Sequence, residues 1–133
     1  MGQILRYTLK PPRQPKEKDD MHFLATDFIN SVRKVFKTAG YLQRNGEGQE
    51  CGGRFLLGYK AKLYIVASDF QIGYSLKPYQ AVGCGDDIAL GALYATEALA
   101  AGGFGPKERV EMALRAAAHF SGGVSAPFTV LSI

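Results

Sequence analysis

Between Asp20 and Ala39 the apolar residues Leu24, Phe28, Val32, Val35, Phe36 and Ala39 recur at helical spacing, and Gly40 follows where a left-handed residue ends a helix. This predicts an amphipathic helix over 20–39. Ahead of it, residues 1–9 read as the last turns of a helix with Ile4, Leu5 and Leu9 on one side. Pro11 and Pro12 stop that helix. The intervening "KPPRQPKEKDD", residues 10–20, has the composition of an exposed, basic, proline-rich loop, and "QRNGEGQECGG" supplies a polar glycine-rich one.

The pattern then changes period. Phe55–Tyr59 and Leu63–Ala67 are short apolar runs rich in β-branched and aromatic residues, and the polar turn "KAK" between them predicts a hairpin. A third strand is expected over Asp69–Tyr74, and "YQAVGCG" as a short buried strand that ends at the glycines. From Asp86 to about Ala101 the helical pattern returns, with Ile88, Leu90, Leu93, Tyr94, Ala98 and Leu99 apolar, so burial on more than one side is expected. "GGFG" breaks it. Pro106, at a first helical position, opens another helix whose stripe is Val110, Ala113, Leu114 and Ala117. "SGGVSAPFTVLSI" is a glycine turn followed by an alternating strand, Phe128–Ile133. Helix runs and strand runs are segregated along the chain, which predicts a layered α+β fold with antiparallel sheet rather than a doubly wound one.

Composition changes this picture little. With 133 residues, 47% hydrophobic and 21% charged, the chain is sized and composed for a single globular domain. No apolar run reaches membrane-spanning length and no signal-peptide core is visible, so a cytoplasmic protein without a membrane partner is expected. Cys51 and Cys84 form no C-x-x-C pair, and His22 and His119 do not cluster with them, which argues against a disulfide framework or a zinc site; no cofactor and no metal are expected. The net charge of +4 is partly local, with Lys10, Arg13, Lys16 and Lys18 in the first loop and Arg33, Lys34 and Lys37 on the next helix. Nucleic acid is disfavoured as a partner, since aromatics are not interleaved with the loop charges.

The stretch most suggestive of chemistry is "GCGDD", residues 83–87. Gly83 and Gly85 allow a sharp turn into a helix whose first N–H groups are unpaired. Three readings compete, and composition favours the last. A phosphate cradle would place its anion against Asp86 and Asp87. A Cys84 nucleophile would need a base, with His119 the one plausible partner. In the third, Asp86 or Asp87 caps the helix and Cys84 is a small packed residue.

"FLLGYKAKLYIVASDFQIGY", then "YQAVGCGDDIALGALYATEAL", then a second helix ending in "SGG" before a terminal strand, resembles the C-terminal part of the proteasome β-type, HslV-like N-terminal-nucleophile hydrolases of bacterial and phage type. The resemblance spans nearly the whole chain and is strongest over 53–99. It implies a four-layer sandwich of antiparallel sheets flanked by helices, with its N-terminal strands missing. It also implies a threonine-type peptidase that works as a homo-oligomeric ring on peptide substrates beside an ATP-dependent unfoldase.

In that family the nucleophile is a processed N-terminal residue assisted by a lysine and an aspartate on early strands, and none of these maps onto this sequence. The implied expectation is a truncated chain that is inactive by itself. Cys84 falls where the family usually has the serine of a Gly-Ser-Gly turn beside the nucleophile. Ser121 resembles the serine after the last helix, although the acidic residue often found three positions earlier is Ala118 here. Gly83, Gly85 and Asp86 carry over as shape and capping around the same place. The alternative is a noncatalytic subunit that forms rings or meets nucleic acid through its basic loop.

Overall fold

A computed structural model describes residues 1–132, the side chains at 100 and 101 excepted. The chain is α+β with two small antiparallel sheets, and it divides into two compact units, Met1–Tyr74 and Ser75–Ile133. Helix α1 (Gly2–Thr8) ends before the prolines, as its pattern predicts, and contributes no buried residue. The expected helix over 20–39 is present as α2 (Asp20–Phe23), a π-helical turn (Leu24–Phe28) and α3 (Ile29–Thr38) in direct succession. Asp19 opens it by accepting a hydrogen bond from the His22 amide at 2.8 Å. Gly40, at φ +67°, follows its end.

The π turn is a departure from the regular helix that the spacing predicts. With hydrogen bonds closed over five residues, positions five apart come onto one side. Phe23 and Phe28, and likewise Leu24 and Ile29, are therefore all buried, together with Val32 and Phe36.

Strands β1 (Gln43–Arg44) and β2 (Glu50–Cys51) pair within the stretch that reads as a polar loop. The Asn45 carboxamide closes that turn by accepting from the amides of Glu47 and Gln49. Strands β3 (Phe55–Tyr59) and β4 (Lys62–Val66) form the predicted hairpin, with Phe55 opposite Val66 and Tyr59 opposite Lys62. Its two-residue turn holds Lys60 at φ +47° and Ala61 at φ +60°, the left-handed pair that matches strand twist. Strand β5 (Ile72–Tyr74) joins β4, so the sheet order is β3-β4-β5. The third strand is shorter than expected because Asp69 and Phe70 are used in a turn, where the Ala67 carbonyl accepts from Phe70 and the Asp69 side chain from the Gln71 amide.

One face of this sheet, with Phe55, Leu57, Tyr59, Tyr64, Val66 and Ile72, packs on the helical core. On the opposite face Leu56, Leu63 and Ile65 are half-buried.

The second unit is built on α4 (Asp86–Ala95) and α5 (Pro106–Phe120), joined through a 3-10 turn (Ala98–Gly102). Their contact is made by small residues, with Ala89, Leu93, Ala113 and Ala117 buried. Helix α4 does not continue to Ala101. The Thr96 hydroxyl donates back to the Ala92 carbonyl at 2.9 Å, and Arg109 of α5 donates to the Leu93 carbonyl at 2.8 Å, so the last carbonyls find side-chain partners. Nor is α4 buried on more than one side, since Tyr94 is 68% exposed. Val110, expected in the α5 stripe, is 38% exposed.

Two expected strands are not formed. Residues 79–85 are irregular, and so are 124–132; the last residue of the expected Phe128–Ile133 strand lies outside the described residues. A strand exists through a paired neighbour, and among the described residues neither segment has one.

Candidate functional site

The site begins with the turn into α4. The Gly83 carbonyl accepts from the Asp86 amide at 3.3 Å, Gly83 sits at φ +123°, and Gly85 is the residue from which the helix starts. Gly85 is buried. A Cβ there would fall 2.9 Å from the Ala117 Cβ and 2.9 Å from the Val124 Cγ2, so the start of α4 lies directly on the end of α5 and the turn beyond it.

That second turn is set by the end of α5. The Ser121 amide donates to the Ala117 carbonyl at 2.8 Å, and the Val124 amide to the Ser121 carbonyl at 3.2 Å. The two turns touch at one point. The Ser121 hydroxyl donates to the Cys84 carbonyl at 3.2 Å, and Gly123 lies so close that a Cβ would meet the Cys84 Cβ at 2.7 Å and its Sγ at 2.9 Å. Residues 84 and 121, which are 37 positions apart, thus form one corner. Its thiol is free and exposed.

The electrostatics of the corner are mixed. The first turn of α4 offers partial positive charge, and Asp86 and Asp87 occupy it, as the helix dipole favours. The Asp86 carboxylate accepts from the Asp87 amide at 3.0 Å. The expected cap by Asp86 or Asp87 is replaced by Gly85, which holds the N-cap position without a side-chain cap, so the aspartates act on the helix start through charge; nor is Cys84 the packed residue expected, since it is exposed. His119 does not reach Cys84 with a hydrogen bond. It is exposed, and its ring lies edge-on to Phe120 at 4.6 Å between centroids. What the corner can do is hold a small thiol and a hydroxyl-bonded carbonyl rigidly at a helix start.

Other charged groups are organised in ways that the sequence pattern does not announce. The 10–20 loop is tied down. Lys18 Nζ reaches both carboxylate oxygens of Asp27 at 2.9 Å, which removes it from any free basic cluster and leaves Lys10, Arg13 and Lys16 exposed. Gln14 and Lys60, neither of which stands out in the sequence, meet beside Asp20. Lys60 donates to Asp20 and holds its carboxyl below the ordinary value, while Asp20 holds the Lys60 ammonium above its own. In the second unit Lys77 and the Tyr79 hydroxyl both donate to Glu97; the Lys77 bond lowers the Glu97 pKa, while burial, then the Glu97 bond, raises that of Tyr79.

Among the described residues no group of three or more His, Cys, Asp or Glu side chains is placed to hold a metal ion, and no helix is long and apolar enough to cross a membrane. No protein-family model, no curated protein and no solved structure matches the chain.

Proposed function

We propose that this chain is the C-terminal portion of a proteasome-like peptidase subunit, and that the Cys84–Ser121 corner is a wall of its peptide-hydrolysing site. The observation that carries the reading is the corner itself. Two glycine turns far apart in sequence interlock through Gly85 and Gly123, and they bring together the two positions singled out by the resemblance. The sheet adds support: Leu56, Leu63 and Ile65 give its outer face an apolar character that suits a sandwich of two sheets. In this reading the subunit works in the cytoplasm as a ring of copies fed by an ATP-dependent unfoldase, and Cys84 orders the amine of an N-terminal nucleophile without being the nucleophile.

Fluorogenic peptide hydrolysis tests it on two proteins, the 133-residue chain and the chain extended upstream through its reading frame. The short chain is expected to be inert. The extended one should begin, after processing, with Thr, Ser or Cys and turn over peptide, with Cys84→Ala slowing it on the order of tenfold or more through misplacement of the amine. Turnover by the short chain that disappears in Cys84→Ala would instead make this a cysteine hydrolase. An extended frame with no such residue and no turnover would remove the peptidase reading.

A further inference from the structure

The carboxamide of Gln14 is saturated. Its Oε1 accepts from the Tyr59 hydroxyl at 2.6 Å and from Lys60 Nζ at 2.7 Å, and its Nε2 donates to the Lys18 carbonyl at 2.8 Å and to Asp20 Oδ1 at 3.0 Å. A glutamine has two acceptor sites and two N–H donors, and here each has a partner. The partners come from three places: the loop itself, the start of α2 and the tip of the β3–β4 hairpin. Lys60 is also bonded to Asp20 at 2.6 Å, and it makes both contacts from a left-handed backbone conformation that a non-glycine residue adopts at some cost.

The other end of the segment is seated differently. The Met1 thioether lies over Gly53, where a Cβ would fall 2.5 Å from its Sδ and 3.0 Å from the Tyr41 hydroxyl. Between these ends α1 is held only by half-buried contacts of Met1, Ile4, Leu5 and Leu9. None of the nine buried residues of the first unit's core belongs to α1 or to the loop that follows it. All nine belong to the rest of the unit, and Met1, Ile4, Leu5 and Leu9 cover them from outside.

We propose that α1 and the loop up to Asp19 form a strap that opens from the first unit as one piece, with Gln14 as its latch. Opening breaks the Gln14 bonds to Tyr59, Lys60 and Asp20 together with the Lys18–Asp27 ion pair, and it uncovers the apolar side chains on which Ile4, Leu5 and Leu9 rest, while the helix–sheet core stays folded. A segment with few deep contacts and a concentrated polar tether has the makings of a separate cooperative unit.

Amide exchange on the full chain, followed residue by residue by NMR, tests this. The reporters are the Leu5 and Leu9 amides, bonded to the Met1 and Leu5 carbonyls within a seven-residue helix too short to persist once undocked, against the amides of β3 and β4. In the parent chain the strap amides should exchange faster than the β3–β4 amides. Gln14→Ala should speed the strap amides by about tenfold or more, as expected when several hydrogen bonds are lost together, with β3–β4 unchanged. Lys60→Met, which removes one arm of the latch, should act on the same amides by a smaller factor, and it decides the matter if Gln14→Ala does not fold. Strap amides that do not respond to either variant, or β3–β4 amides that accelerate in step with them, would overturn the proposal.

Discussion

At Gly123 the missing side chain is the structural feature. A Cβ there would sit 2.7 Å from the Cys84 Cβ, a distance that packed carbons do not tolerate. Gly123→Ala is therefore expected to destabilise the second unit by about 1–3 kcal/mol, the usual range for overpacking. Denaturant unfolding measures it, and the companion variant tells why. Cys84→Gly removes the atoms that collide, so the double variant should lose less than the two single losses summed, a coupling that distant or independent sites do not show. Strict additivity, or a neutral Gly123→Ala, would mean that the turns can separate without cost. Cys84 was legible in the sequence because it stands between two glycines at a helix start. Gly123 was not, because what it permits is the approach of a residue 39 positions earlier, and a "GG" pair reads only as a turn.

The elements that were legible are those whose patterns are local. The β3–β4 hairpin shows in two apolar runs around a short polar turn, and α3 and α5 in helical spacing, one closed by Gly40 and the other opened by Pro106. Residues 79–85 and 124–132 are apolar enough for strands, yet a strand needs a partner that its own sequence does not specify. The β1–β2 pair was hidden for the converse reason: it is polar, and Asn45 rather than burial shapes its turn. The latch between loop and hairpin also depends on distant partners, and it predicts a dependence on pH. Asp20, held below its ordinary value of 3.8 chiefly by the Lys60 bond, contributes stability above that pH and loses it as pH falls through the lowered folded value. Lys60, raised above its ordinary 10.5, contributes below that pH and loses it as pH climbs through the raised one. The stability difference between the parent chain and Lys60→Met should thus be flat from about pH 5 to 9 and shrink as pH falls from 3.8 through the lowered Asp20 value. Lys60 is 55% exposed, so added salt should shrink it as well. A difference unchanged at pH 2 would mean that the Lys60–Asp20 pair contributes nothing to it.

On the scale of the whole chain, the two units differ in what holds each of them together. The first buries Phe23, Phe28, Phe36, Tyr64 and Phe70 with four aliphatic residues around them. The second buries Ala89, Leu93, Ala113 and Ala117, while Tyr94, Leu99, Phe104, Val110 and Met112 remain substantially exposed on or between its helices. Apolar burial stabilises by roughly 25 cal/mol per Å², and an alanine has little area to bury, so the second unit has the smaller reserve. Hydrogen exchange in dilute solution should show α4 and α5 amides opening at least about a hundredfold more readily than those of β3, β4 and α3. Equal protection at every concentration would contradict that ranking. Protection of α4 and α5 that rises with chain concentration, while β3 and β4 stay constant, would instead report a second copy covering the exposed side chains, because a partner that binds only the folded form stabilises it in proportion to the logarithm of its concentration. That outcome is the one a ring-forming subunit requires, and it can be sought before any activity is known. Tyr94→Lys, which places a charge at the exposed aromatic of α4, should abolish the concentration dependence and leave the dilute-limit exchange of the second unit unaltered, since Tyr94 is not among the buried residues of its core.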